Sequence, residues 1–386
     1  MTTLPFDTER LARIARDQKI DLVLASTRHN VRYLTGGYYL HFFARASRFG
    51  GGQYLSFVAV PAAQPRTAFY VGRRDQILNE QDYIDAFGPF WIADRHWVPR
   101  GPSMSQDAAT VAARALRAGG HAAATIAIES SFLPADASDA LRRELPEATF
   151  VNAGPLLGEL RAVKQPREVE RLRDVHGLTA EVIRRVFHES SAADTTREIS
   201  AKIQRRVGER GAGFLYSLIN VGPGLLRAAS SEAWGRGRPM HLDVGAELDE
   251  YVADVARMGS VGAPPAAAAA LFEICVAAQT RVRAAVGPGV ACGEVWRIGT
   301  EAVRTGPSAE YGRFLAHGLG MVSHEPPAVA EGERRPLETG MVLSIETEFR
   351  HPDVGHIKLE DSVVVTPNGC EGLGDVARDW CVAADA

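Results

Sequence analysis

The residues that first suggest chemistry are Asp243 and Asp254, in the stretch HLDVGAELDEYVADVARMGSVG from His241 to Gly262. Two runs there, MHLDVGAE and YVADVARM, alternate apolar and polar residues around an acidic turn. That pattern predicts a β-hairpin, although Asp-Glu is a poorer turn pair than Asp-Gly. A two-residue loop at Leu248-Asp249 would pair Glu247 with Glu250 and set Asp243 directly opposite Asp254. Carboxylates opposed on one sheet face repel, so one must stay protonated or find a cation. A divalent metal ion between them removes the conflict; two solvated carboxylates on an exposed face are the competing reading.

The last third of the chain supplies further candidate ligands. His317 lies in FLAHGLGMVSHEPP beside Gly318 and Gly320, which permit close backbone approach to a site, and His324 follows in SHEPP. The strand-like runs MVLSIETEF and HIKLEDSVVVT carry Glu346 and Glu360. Each acid sits inside an apolar strand, where an unpaired carboxylate is costly. Lys358 is near enough to Glu360 to suggest a private ion pair. Four acids in four strand-like segments, with one glycine-flanked imidazole, are more economically served by one shared metal centre. A single imidazole among carboxylates suits hard or borderline ions, with Mn²⁺ the first choice and Co²⁺ or Zn²⁺ open. Sulfur is not grouped to contribute, because Cys275, Cys292, Cys370 and Cys381 lack CxxC spacing.

Positioning these residues requires a sheet, and the chain alternates strand and helix patterns throughout. In residues 1–157, IDLVLA, YLSFVAV, TAFYVG, ATIAIE and TFVNA read as strands, with helices at Thr8–Lys19, Gln106–Ala118 and Ala135–Glu144. This predicts an α/β domain with a mixed sheet. It has no Gly-rich phosphate loop, so nucleotide binding is not indicated. Residues 36–53, GGYYLHFFARASRFGGGQ, read as a surface loop or as an arm carrying Arg45 or Arg48 to a substrate carboxylate, which guanidinium grips bidentately. A boundary near Leu157–Pro166 separates a second domain, 158–386. Its long amphipathic helix opens at Pro166, and a second helix spans about Thr195–Glu209. The strand FLYSLINVG, the hairpin, and helices Pro265–Val286 and Cys292–Arg304 follow. The fold class is α/β in the broad α+β sense.

Composition excludes several partners. The chain has 386 residues, 46% of them hydrophobic, and a net charge of −4 without a basic block. Nucleic acid and anionic membranes are therefore not expected partners. The N-terminus lacks the apolar run of a signal peptide, and no stretch approaches the ~18 apolar residues of a membrane span. With ungrouped cysteines, this predicts a cytoplasmic protein.

The order Asp, Asp eleven residues later, His, Glu and Glu resembles the pita-bread metallopeptidase family of methionine aminopeptidases, aminopeptidase P, prolidase and creatinase. VRYLTGG is similar to the start of the family's creatinase-like N-terminal domain, and LRAVKQPREVERLR to the first helix of its catalytic domain. The resemblance implies an Xaa-Pro peptidase with two divalent ions held by Asp243, Asp254, His317, Glu346 and Glu360. By the same resemblance Asp254 and Glu360 bridge the ions, Asp243 chelates one, and His317 and Glu346 complete the other. Two ions ~3.5–4 Å apart would activate a bridging hydroxide and polarise the scissile carbonyl. His324 matches a substrate-site histidine and Glu346 a proton shuttle. A homodimer is also implied.

Departures from the family pattern bear on the substrate. Two positions where Xaa-Pro peptidases place a substrate-binding His hold Arg227 and Arg313, and the usual Arg before the last ligand is Lys358. Arg is a permanent cation with a forked donor array, which favours a substrate bearing a carboxylate; ordinary surface charge is the other reading of both arginines. Phe43-Ala44-Arg45 resembles the creatinase segment that reaches a neighbouring subunit's substrate carboxylate. The alternatives are thus a hydrolase or lyase of a small non-peptide carboxylate, creatinase- or ectoine-hydrolase-like, and a non-catalytic peptide-binding module of the same fold.

Overall fold

The computed structural model describes residues 4–37, 55–73, 90–99, 104–224 and 226–384. The chain divides into two compact units, Met1–Leu160 and Arg161–Ala386.

In the first unit, Leu22-Val23-Leu24-Ala25 is apolar throughout, as a strand covered on both faces must be. All four residues are buried and form β1 (Leu22–Ala25). The further strands are β2 (Phe57–Pro61), β3 (Phe69–Gly72), β4 (Asp94–Trp97), β5 (Thr125–Ile128) and β6 (Thr149–Asn152). They make a six-stranded sheet in the order β4-β3-β2-β1-β5-β6, antiparallel at β1–β2 and β2–β3 and parallel at the other joins. The mixed sheet expected from the sequence is present. Ala108, Ala109, Ala112, Ala113 and Leu116 of the helix Met104–Ala118 pack with Leu22, Leu24, Phe57 and Ile126 of the sheet. Small alanine side chains let helix and sheet approach closely. Segment 38–54, with Arg45 and Arg48, lies outside the described residues.

The second unit is built on β7 (Gly213–Val221), β8 (Met240–Leu248), β9 (Tyr251–Val261), β10 (Gly312–Gly318), β11 (Glu325–Ala328), β12 (Val342–His351), β13 (Gly355–Thr366), β14 (Gly369–Leu373) and β15 (Cys381–Ala383). The sheet runs β11-β10-β12-β13-β9-β8-β7, with β14 on β13 and β15 on β9. Side chains alternate faces along each strand. Leu242, Val244 and Val255 join Val175, Ile183 and Phe187 of the helix Pro166–His188 in one core. Leu343, Ile345 and Val363 join Ala278 and Val282 of the helix Ala266–Ala285 in another. Asp243, Asp254, Glu346 and Glu360 fall at the intervening positions, so the helices cover one face and the acids occupy the other.

The hairpin differs from expectation in register. β8 and β9 pair Leu248 with Tyr251, so the loop is Asp249-Glu250 rather than Leu248-Asp249. Both loop residues have positive φ, 51° and 71°, the mirror-image turn that matches strand twist and that Asp tolerates. Asp254 therefore faces Gly245, and Asp243 faces Ala256. The two aspartates are diagonal rather than direct partners. A two-residue slip leaves every side chain on its original face, so both still point to the same side.

Candidate metal centre

One row of the ladder crosses the middle of the second sheet. Asp243 pairs with Ala256, Ala256 with Glu360, Glu360 with Glu346 and Glu346 with Leu315. Asp254 lies two residues from Ala256 and His317 two from Leu315, which keeps both on the same face. The sheet thus gathers all five residues predicted as ligands. One donor atom each from Asp254, His317 and Glu360 lie within 4.8 Å of one another.

Neighbouring groups fix these donors. His317 Nδ1 is 3.1 Å from the Gly318 carbonyl, which commits Nε2 to the cluster, the second-layer device that orients imidazole ligands. That Nε2 is 3.3 Å from Glu346 Oε1. Ser344 donates to Glu360 Oε1 at 2.8 Å. Tyr216 lies near enough to lower the pKa of the Asp254 carboxyl, and Asp254 Oδ1 is buried without a hydrogen-bond partner. Tyr216, Gly245 and Asp254 occupy one cross-strand row. A Cβ on Gly245 would come within 2.3 Å of the Tyr216 ring, so only glycine leaves the phenol its path to Asp254.

Lys358 occupies the centre of the acids. Its Nζ is 2.8 Å from Asp243 Oδ2, 2.7 Å from Glu346 Oε2 and 2.7 Å from Glu360 Oε2. The private ion pair considered for Lys358 is instead shared three ways. At the rim, Arg227 Nη1 is 3.3 Å from Asp243 Oδ2. Burial, then the charges of Asp254 and Glu346, push the Glu360 carboxyl well above its usual range. Burial and Asp243 do the same to Asp254. Burial would also raise Glu346, but Lys358 and His317 outweigh it and hold that carboxyl low. Burial disfavours protonated His317, yet the adjacent Glu346 prevails and raises its pKa. Two carboxyls driven upward mark an excess of negative charge that a divalent cation relieves.

His324 stacks on His317, ring centroids 3.9 Å apart and planes at 20°. Burial, then the neighbouring His317, lower its pKa. The glycines beside His317 serve the local chain path. A Cβ at Gly318 would lie 2.3 Å from the Glu325 carbonyl oxygen, in the segment that carries His324. Arg313 stands on the strand of His317, but its guanidinium donates to the Glu310 and Gly312 carbonyls at 2.8 and 3.0 Å. The sequence reading missed Tyr216, Ser344 and a deeper layer in which His241 stacks on His356 at 4.3 Å and His356 Nε2 meets Glu348 Oε2 at 2.6 Å. Their signal was strand parity, since each lies an even number of residues from a ligand or in the facing row.

The profile of metallopeptidase family M24 matches residues 170–367, a span that contains all five candidate ligands. The chain belongs to metallopeptidase family M24. The Creatinase/Prolidase N-terminal domain profile matches residues 8–163, so a creatinase-like domain precedes the pita-bread domain, as the sequence resemblance implied. The chain is 25% identical to an Xaa-Pro dipeptidase of Pyrococcus horikoshii over 66% of its length and 74% of the relative's. It is 27% identical to an Xaa-Pro dipeptidase of Pyrococcus furiosus over 60% and 68%. The crystal structure of the prolidase from Pyrococcus horikoshii superimposes with a TM-score of 0.76 at 21% identity, covering 96% of this chain and 98% of that one. M24 metallopeptidases imply divalent ions. The orphaned Asp254 Oδ1 and the committed His317 Nε2 fit that requirement here. Among the described residues no helix is long and apolar enough to cross a membrane.

Proposed function

We propose that this M24 protein is a metal-dependent hydrolase of the Xaa-Pro dipeptidase type, cleaving an amide C–N bond of a small peptide. The observation that carries this reading is the convergence of Asp254, His317 and Glu360 donors within 4.8 Å on one sheet face. The names of the two Pyrococcus relatives support the substrate class. Asp243, Asp254, His317, Glu346 and Glu360 form the ion-binding set, with Mn²⁺ the first choice. A divalent ion held there supplies Lewis-acid polarisation of the substrate carbonyl and a lowered water pKa.

The chain's own groups supply the rest. His324, with its pKa held down, is a neutral imidazole near pH 7 and offers an N–H to the developing oxyanion. Glu346, beside His317, serves in this reading as the group that carries a proton toward the leaving nitrogen. Tyr216 acts on the Asp254 carboxyl, opposing its upward pKa shift. The four free cysteines fit a reducing, cytoplasmic setting. A homodimer completes the reading.

The test is incubation of Mn²⁺-loaded protein with Xaa-Pro dipeptides. Release of proline is expected, and turnover confined to non-peptides would remove the peptidase. A second reading, a small non-peptide carboxylate substrate, is favoured by Arg227 at the rim, 3.3 Å from Asp243. Ectoine and creatine in the same assay separate the two. A purified protein that binds no divalent ion would return the chain to the non-catalytic, peptide-binding class.

A further inference from the structure

We propose that the ammonium of Lys358 itself holds one of the two cation positions of this centre, so that the protein takes up a single divalent ion. This rests on the metal-dependent reading above and concerns how many ions that site accepts.

The five donors fall into two groups. Asp254, His317 and Glu360 each offer one atom to a common point. Asp243 Oδ2, Glu346 Oε2 and Glu360 Oε2 instead surround Lys358 Nζ at 2.7–2.8 Å. Three carboxylate oxygens lie within ion-pair distance of this ammonium; Asp243 Oδ2 accepts its hydrogen bond, whereas Glu360 Oε2 is buried without a hydrogen-bond partner. Asp243, the residue that would chelate the second ion alone, gives its Oδ2 to both Lys358 and Arg227.

Lys358 is not a surface side chain that happens to swing inward. Its side chain is 3% exposed, and strand alternation puts it on the cluster's face, two residues from Glu360. Withdrawing a buried ammonium requires another counter-ion. The carboxylate across the ladder from it, Glu348, is already engaged by His356 at 2.6 Å and Arg350 at 2.8 Å. Charge leads to the same count. Four carboxylates face two fixed cations, Lys358 and Arg227, leaving two negative charges, which one divalent ion neutralises. A second would bring a comparable positive excess, which an added anion would have to match.

The test counts ions rather than turnover. Chelator-stripped protein is equilibrated with Mn²⁺, and bound metal is read by calorimetric titration and elemental analysis. Wild type is expected to take up about one equivalent and Lys358→Met about two. The Mn²⁺ EPR spectrum of wild type should be that of an isolated ion rather than an exchange-coupled pair. This readout decides the question even if Lys358→Met fails to fold. Two equivalents of matched affinity in wild type, or a folded Lys358→Met that still takes one, would overturn the proposal. Wild type that binds none would sink both this and the metal-dependent reading, whereas one bound ion with no Xaa-Pro cleavage would remove only the substrate class.

Discussion

Glu346 and Glu360 face each other across one rung of the β12–β13 ladder, and both touch the Lys358 ammonium at 2.7 Å. Opposed like charges weaken a sheet, and here they sit in its buried middle. The sheet can therefore carry this row only with cations among the side chains. Four consequences can be measured.

Asp254→Ala removes a donor from the three-residue group. Removing even an outer-layer partner typically costs 10–100-fold in metal affinity, so losing a ligand should weaken Mn²⁺ binding by more than ~100-fold. Turnover should vanish, while the unfolding transition of the Met1–Leu160 unit stays in place. Calorimetry and a two-probe urea titration measure both. Normal activity in this variant would refute the assigned site.

Gly245→Ala drives a methyl into the Tyr216 ring. Overpacking of this kind costs about 1–3 kcal/mol, read as a lower urea midpoint. Tyr216→Phe keeps the packing and deletes the hydroxyl contact to Asp254. It should weaken metal binding about tenfold with little change in stability. Equal stability loss in both variants would mean that the phenol only fills space.

Arg227→Ala tests the rim cation. If Arg227 grips a substrate carboxylate, KM for carboxylate-bearing substrates should rise about tenfold or more, with kcat little changed. Amidated analogues should be indifferent. A KM unchanged for both classes would leave Arg227 as a counter-ion of Asp243 alone.

His176 supplies a pH dependence away from the centre. Burial lowers its pKa from 6.5 to about 4, although Nδ1 lies 2.7 Å from the Leu172 carbonyl. The unfolded chain therefore takes a proton on this group before the folded chain does. Its contribution to stability is complete above pH 6.5 and is lost as pH falls to about 4, amounting to about 3 kcal/mol. His176→Gln should flatten that part of the stability profile in urea titrations between those limits. Parallel profiles for the two proteins would contradict the assignment.

Much of this was readable before folding, for a physical reason. Period-two alternation placed Asp243, Asp254, Glu346 and Glu360 inside strands, and the structure keeps each there. The hairpin turn was misplaced because Asp249 and Glu250, two non-glycine residues, both take positive φ. Parity absorbed the error. What no local pattern encodes is which rows align across strands distant in sequence, such as Glu360 with Ala256. Lys358 looked like a partner for one acid because its three contacts come from three strands. Tyr216 was invisible for the same reason, since its role depends on which row of β7 lies beside Gly245 and Asp254.

The join between β9 and β13 has a further consequence. Ladder pairing there is confined to Glu360 with Ala256, with Asp243 and Asp254 on one side of the seam and His317, Glu346 and Glu360 on the other. An ion shared between the sides works as a rivet through that seam. Anything that strips it should loosen the molecule as well as silence it, so melting temperature would follow free metal concentration.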